Sequence, residues 1–299
     1  MSTLSRHVED YLRLRRALGY KLERAGHLLP KLVAYLEAAG SPTLTSELAI
    51  SWARLPAQAR PNHWAARLAV ARGFARYLNT IEPATGVPPT GVFPSRRHRP
   101  APYLFSEQDI AGLLDGARTL RSPLRAATYE TLFGLLAVSG MRVGEAAGLD
   151  RGDVDFQTGV ITIREAKFDR TRLVPLHGTT TAALHAYVTE RDRLCPAPRS
   201  VAFFLSSAGT RLNRSDVAKT MRRITTDMGL RNATLRPTAH QLRHSFAVRT
   251  LIEWQRSGES VDEHIATLST YLGHIAPADT YWYLSASPEL MAMAAERLD

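Results

Sequence analysis

Apolar residues recur at helical spacing through the first eighty positions of the chain. Each segment carries one apolar stripe, which is typical of an amphipathic helix packed on a core. Gly19 and Gly40 stand where the first two helices are expected to end, because glycine readily adopts the left-handed conformation that closes a helix. The pattern predicts four short helices, and therefore a small all-α module, over residues 3–18, 22–39, 45–54 and 61–81.

The helical pattern stops in residues 83–102, PATGVPPTGVFPSRRHRPAP, which are rich in proline and glycine and carry a basic group at 96–99. Such a composition is typical of a linker. We therefore expect a helical domain at 1–90, a linker at 91–103 and a second domain at 104–299.

The second domain is predicted to be mostly helical with a small sheet. Ser106 and Asp109 have the spacing of a capping box at the start of a helix, and a more buried helix is expected near 122–138. The stretch GVITIREAKFDRTRLVPL, residues 159–176, has two β-type runs around a polar break, which predicts a hairpin. Further helices are expected at 178–193, 213–228, 238–256 and 261–272.

The charge is concentrated in the first third of the chain. The formal net charge is +10; residues 1–100 hold 15 Lys and Arg against 6 Asp and Glu, whereas residues 101–299 hold 23 against 22. A basic module joined to a balanced remainder favours a polyanion partner, although a solvated basic face would give the same count. The single cysteine and the lack of a long apolar run predict a cytoplasmic protein without disulfides.

Two segments of the second domain carry side chains suited to phosphate chemistry. In SGMRVGEAAGL, Arg142 begins a helix and Glu145 follows three residues later, so the carboxylate can hold the guanidinium. In HQLRHSFAVRTL, His240, Arg243 and His244 share a helix face, which places a proton-transfer group beside a cation. Taken alone, the first segment favours an ordinary surface ion pair, and the second is compatible with a chance pairing on a solvated helix. No carboxylate or thiol stands near the histidines to make a metal site.

Two further positions stand out by residue type. Lys167 lies in the predicted hairpin of a chain that otherwise prefers arginine, and a lysine can give up its proton near neutral pH when its pKa is lowered. In the run YWY, Tyr281 and Tyr283 would point roughly 200° apart on a helix, so only one of them can face a cleft. These residues come behind Leu-Gly-His at 272–274.

The order Arg142, Lys167, His240-x-x-Arg243, Leu-Gly-His274 and Tyr283 resembles the tyrosine recombinase (phage integrase) family across essentially the whole chain. The nine-residue interval from His274 to Tyr283 also matches, and the YWYL…PEL run is most similar to recombinases of transposons and integrative elements. The lysine departs from the family pattern in being flanked by Ala166 and Phe168 instead of glycines. The resemblance implies an all-α core-binding domain followed by a mixed α+β catalytic domain.

The resemblance also implies roles for these residues. Tyr283 would attack a phosphodiester of duplex DNA, Arg142 and Arg243 would clamp the phosphate, Lys167 would be the general acid, and His240 would assist proton transfer. His274 would bind a nonbridging oxygen, with Glu145 and His244 in support. No cofactor and no metal are expected. The resemblance further implies a tetramer on a double-stranded DNA recombination site, with subunits linked through a terminal helix at 288–299. The same helix could instead fold back on its own domain. No membrane partner is expected.

Four residues near the predicted fourth helix are candidates for DNA contact because they cluster there: Arg60, Asn62, Arg67 and Arg72. Three other protein classes remain open at this point. A non-catalytic DNA-binding relative would keep the fold, a type IB topoisomerase-like enzyme would share the phosphotyrosine chemistry, and an RNA-binding helical protein would explain the charge alone.

Overall fold

The computed structural model describes residues 2–94, 102–166, 170–274, 278–286 and 290–291. The chain divides into two compact units, Met1–Arg99 and Pro100–Asp299. In the described residues the fold is mainly helical with one small antiparallel sheet, so the predicted fold class is confirmed. No helix in these ranges combines the length and apolar character needed to span a bilayer.

The described residues of the first unit, 2–94, form four helices around one core. Trp52 and Phe74 are its largest fully buried apolar side chains, and leucines of the second helix pack against them. The first and third helices are capped by the side chains of Ser2 and Thr45, which explains why those boundaries are visible in the sequence. The helices are α1 (Thr3–Ala17), α2 (Glu23–Ala38), α3 (Ser46–Arg54) and α4 (Pro61–Asn79).

In its described residues, the second unit holds eight α-helices and the sheet. The predicted capping box at Ser106 and Asp109 is confirmed, with the two reciprocal hydrogen bonds at 3.1 and 2.9 Å. The helices are α5 (Glu107–Arg118), α6 (Pro123–Ser139), α7 (Val143–Gly148), α8 (Gly178–Leu194), α9 (Arg214–Asp227), α10 (Ala239–Arg256), α11 (Val261–Leu272) and α12 (Ala278–Ala286).

The predicted hairpin forms two strands of a three-stranded sheet, in the order β1-β2-β3: β1 (Val154–Asp155), β2 (Val160–Ala166) and β3 (Arg170–Pro175). The two-residue strand β1 was not predicted, because two residues are too short to show alternation. Ile161 pairs with Val174 and Ile163 with Arg172, so these four side chains alternate onto one face of the hairpin. Three of the four are apolar and fully buried, which leaves Arg172 as a cation on a core-facing position.

Two of the predicted elements lie partly or wholly outside the described residues. The first is the polar break of the predicted hairpin, which contains Lys167. The predicted helix at 288–299 is described only at 290–291, where Leu290 is buried in an apolar cluster of its own chain, with Val248 and Leu251 of α10 and Leu272 of α11. In this structure the described start of that segment therefore packs in cis.

Candidate active site

The last turn of α11 is the meeting point of the site. Helix α11 ends at Leu272, and Gly273 follows in the left-handed conformation (φ 69°) that closes the helix. The final carbonyl groups of a helix have no partner within it and carry the negative end of its dipole. This turn therefore offers acceptors to cations from other elements.

Arginine side chains from three elements fill these acceptors. Arg172 of β3 donates from Nη1 to the carbonyl oxygen of Tyr271 at 2.6 Å. Arg243 of α10 donates from Nη2 to that of Leu272 at 2.7 Å, and Arg142 donates from Nη2 to that of Gly273 at 2.8 Å. Three consecutive carbonyl groups thus each hold a different guanidinium.

Arg142 is the residue immediately before α7, and its position is fixed twice by Glu145. One carboxylate oxygen accepts the backbone N–H of Arg142 at 2.9 Å, and the other accepts Nη1 at 2.7 Å. The guanidinium remains about one-third exposed. The predicted contact between Arg142 and Glu145 is therefore present. The guanidinium is held by this carboxylate and by the C-terminal end of α11, although Arg142 itself lies at the start of α7.

Glu145 is shared between two arginines. Its side chain is only 10% exposed, and the oxygen that accepts the N–H of Arg142 also pairs with Nη2 of Arg172 at 2.6 Å. Burial alone would raise the pKa of Glu145, but the charge of Arg172 and the hydrogen bonds from both arginines outweigh it, so its pKa is lowered. The carboxylate is therefore ionised at neutral pH.

Arg243 is the most buried cation of the site, with 1% of its surface exposed. In addition to Leu272 it donates from Nη1 to the carbonyl oxygen of Gly140 at 2.8 Å, so one guanidinium joins the C-terminal ends of α6 and α11. Burial and the nearby charge of Arg142 lower the pKa of Arg243 to about 10, which still leaves it protonated at neutral pH. A buried, rigid cation of this kind is suited to stabilising negative charge.

Two histidines of α10 stand next to Arg243. The His240 and His244 rings are 4.8 Å apart between centroids. Burial, followed by the charges of Arg243 and Arg142, lowers the pKa of His240, so its neutral form is favoured and it can accept a proton. His244 lies between the aromatic side chains of α12, at 5.1 Å from the Trp282 ring and 5.3 Å from the Tyr283 ring.

The two tyrosines of the YWY run have opposite environments. Tyr283 is 2% exposed, whereas Tyr281 is 47% exposed, as the helical spacing predicts. The Tyr283 ring lies nearly parallel to that of His274 at 6.0 Å, and its phenol is close enough to Arg243 to affect the pKa of the guanidinium. Nδ1 of His274 is 2.6 Å from the hydroxyl of the fully buried Thr280, which fixes the ring.

The structure thus brings together all the predicted site residues of the second unit that it describes: Arg142, Glu145, His240, Arg243, His244, His274 and Tyr283. It also places Arg172, Thr280 and Trp282 among them, which the sequence analysis missed. For Arg172 a signal existed, since a charged residue on the buried face of a β-strand is unusual. In the described ranges, no group of His, Cys, Asp or Glu is arranged to hold a metal ion.

The structure corrects one of the four predicted DNA contacts of the first unit, that of Arg67. Arg67 is buried: it lies over the Trp52 ring at 4.0 Å and donates to the Trp52 carbonyl oxygen at 3.0 Å, so its guanidinium stabilises the core. Arg72 donates to the carbonyl oxygens of Pro88 and Pro89 at 2.8 and 2.5 Å and fixes the segment after α4. Arg60 and Asn62 are exposed at the start of α4.

Known proteins that are similar to this chain are integrases and recombinases. The phage integrase family model matches residues 104–289. A Sinorhizobium fredii protein named integrase/recombinase y4rB is 44% identical over 307 residues, covering 100% of this chain and 98% of the relative. The tyrosine recombinase XerC of Pelotomaculum thermopropionicum is 29% identical over 235 residues, covering 75% of this chain and 71% of the relative.

Among solved structures, the integrase of the transposon Tn1549 in complex with transposon right end DNA has a TM-score of 0.67 at 15% identity, covering 98% of this chain and 99% of that one. The fold and the convergence of arginines and histidines on one tyrosine define a tyrosine recombinase. The chain belongs to the phage integrase family, and the resemblance inferred from the sequence is confirmed.

Proposed function

We propose that this protein recombines duplex DNA at specific sites through a covalent 3′-phosphotyrosyl intermediate. The observation that carries the proposal is the convergence of Arg142, Arg243, His240 and His274 on the buried Tyr283. Relatives named integrase/recombinase and neighbours solved on DNA support a DNA substrate.

In the proposed cleavage step, the Tyr283 phenol oxygen bonds to the scissile phosphorus and the bond to the 5′ oxygen breaks. The phenol proton passes to a base, for which the neutral His240 is suited, and the departing 5′ oxygen takes a proton from Lys167. In the rejoining step, the 5′ hydroxyl of the partner duplex attacks the phosphotyrosine and releases Tyr283. The covalent bond conserves the energy of the phosphodiester, so the cycle needs no cofactor.

Arg142 and Arg243 are proposed to stabilise the negative charge on the nonbridging oxygens, with His274 as a further donor. Removing one such donor typically costs about 3–4 kcal/mol in the barrier. Glu145 keeps Arg142 in place, and His244 of α10 packs against the ring of the nucleophile, Tyr283. With these cations around the phosphate, we expect cleavage to continue in the presence of a chelator.

The basic first unit is proposed to be the core-binding domain, at about residues 1–90, with the linker at 91–103 and the catalytic domain at 104–299. Arg60 and Asn62 remain its candidates for DNA contact, and most of its affinity should come from phosphates. Assembly into a tetramer on DNA, transposition as the biological setting and a cytoplasmic location associated with the nucleoid are proposals of the same kind.

The test is a covalent-trapping assay on nicked DNA that flanks the gene, run in chelator on a denaturing gel. We expect a protein–DNA adduct from wild type and from Tyr281→Phe, and none from Tyr283→Phe. An adduct lost in Tyr281→Phe and kept in Tyr283→Phe would show that Tyr283 is not the nucleophile. Tight DNA binding without any adduct would favour a non-catalytic relative, and relaxation of a plasmid without a recombination site would favour the topoisomerase-like activity.

A further inference from the structure

Arg172 holds a place in the site that no predicted role covers. It is the third residue of β3, and its two terminal nitrogens bridge the Glu145 carboxylate and the Tyr271 carbonyl oxygen, each at 2.6 Å. A guanidinium can hold two acceptors at once in a fixed plane, whereas an ammonium cannot do so with the same geometry. Arg172 therefore ties the sheet to α7, through Glu145, and to the last turn of α11, through Tyr271.

The contacts form a continuous chain. Arg172 fixes Glu145, Glu145 fixes Arg142 through its backbone and its side chain, and Arg142 and Arg172 are both anchored on the last turn of α11. Without Arg172, the carboxylate oxygen that accepts the backbone N–H of Arg142 would lose its ion pair with this guanidinium, and the Tyr271 carbonyl group would lose this donor. The orientation of Arg142 would then depend on its own contacts with Glu145 and with the Gly273 carbonyl group.

The burial of Arg172 is costly for stability, since its Nε is a buried donor with no hydrogen-bond partner among the described residues. Gly273 contributes to the fit: a Cβ at this position would stand 2.9 Å from Arg172 Nε and 3.1 Å from its Cδ. The absence of a side chain at residue 273 thus leaves room for the guanidinium. An unsatisfied polar group that costs stability is a feature expected at functional sites.

We propose that Arg172 is a positioning residue for DNA cleavage: it orients Arg142 through Glu145 and couples the β2–β3 hairpin to the α11 turn. It acts on the rate of the chemical step and has little effect on DNA affinity. The proposal rests on the proposed function, because the clamp it supports is the one assigned to the scissile phosphate.

The experiment measures single-turnover adduct formation on nicked DNA as a function of protein concentration, which separates the maximal rate from the apparent Kd. The variants are Arg172→Ala, Arg172→Lys, Glu145→Gln and the double variant Arg172→Ala/Glu145→Gln. Arg164→Ala is the matched control, because Arg164 of β2 also pairs with a carboxylate, that of Asp153 just before β1, but is 65% exposed. Rates are referred to the folded fraction, measured by circular dichroism.

We expect Arg172→Ala to lower the maximal rate roughly 10- to 100-fold, since a misplacement of about 1 Å can cost that much, with the apparent Kd changed less than about threefold. Arg172→Lys should recover part of the rate, because one charge contact with Glu145 survives. The double variant should be no slower than the worse single variant, since both changes break the same chain of contacts. Arg164→Ala should resemble wild type.

A second pair of variants keeps the charges unchanged. Gly273→Ala and Gly258→Ala both place a side chain on a left-handed backbone position, but only at Gly273 does the added Cβ meet another group, namely Arg172. Both variants should lose stability, and only Gly273→Ala should lose maximal rate in the folded molecules. A folded Arg172→Ala that cleaves at the wild-type rate, or equal rates for the two glycine variants, would overturn the proposal, whereas a wild type without any adduct would overturn the proposed function itself.

Discussion

The two units of the molecule use buried arginine differently. In the first unit, Arg67 lies over an indole ring and donates to a carbonyl oxygen of the same helical core. In the second unit, Arg142, Arg172 and Arg243 converge on one helix end, with Glu145 as a shared counter-charge. The difference is that a single guanidinium serves one apolar core in the first unit, whereas in the second unit three guanidinium groups meet at one helix end around a shared carboxylate.

The largest expected effect comes from replacing one buried arginine of each unit with alanine. Arg243→Ala should slow cleavage about 100- to 1000-fold, the usual cost of removing one donor to a charged transition state. Arg67→Ala should leave the cleavage rate of the folded protein unchanged and lower the free energy of unfolding by about 1–3 kcal/mol, since the Trp52 carbonyl group loses its donor. Adduct formation and denaturant unfolding measure the two quantities.

Arg243→Lys sharpens this comparison, because it keeps the charge but cannot hold the Gly140 and Leu272 carbonyl groups in the same plane. A cleavage defect in Arg67→Ala as large as that in Arg243→Ala would show that the two buried arginines do not differ in kind.

A smaller effect is expected within the first unit, between the exposed Arg60 and the buried Arg67. Arg60→Ala should weaken DNA binding similarly for all sequences and reduce the slope of log K against log salt by about 1, as for the loss of a single phosphate contact. In Arg67→Ala the slope should equal that of wild type. Titrations of DNA binding at several salt concentrations test this, and an altered slope in Arg67→Ala would contradict the structural role assigned to that side chain.

The smallest effect is a pH dependence of stability at His240. Because burial and the neighbouring arginines lower its pKa below the usual 6.5, the unfolded chain binds this proton more readily than the folded chain. The stability that comes from neutral His240 is therefore fully present above pH 6.5 and is lost as the pH falls through the lowered value. The free energy of unfolding, measured from pH 7.5 to 5, should fall more steeply in wild type than in His240→Gln. The difference in slope should not exceed the contribution of one bound proton, and equal slopes would exclude the effect.

The sequence predicted well what depends on local patterns. The helix boundaries follow from apolar periodicity and caps such as Ser106 and Asp109, and the opposite environments of Tyr281 and Tyr283 follow from 100° per residue. It did not predict that Arg67 is buried, although residues 67, 71 and 74 share one helical stripe. The candidate list was chosen by charge instead of by that stripe.

The role of Arg172 could not be obtained from local patterns. Its partners, Glu145 and Tyr271, are 27 and 99 residues away in the chain, so only the fold brings them together. Strand alternation places Arg172 on the buried face with Val174, but it does not predict which hydrogen-bond acceptors lie there.

The convergence on the last turn of α11 also has a consequence for biosynthesis. The carbonyl groups that hold Arg142 and Arg172 belong to residues translated 131 and 99 positions later, and the bond from Arg243 to Gly140 spans 103 positions. Contacts of such high contact order form late in folding. A nascent chain still on the ribosome therefore has its arginines but no assembled clamp, and the capacity to break DNA arises only when α11 and α12 have emerged and docked.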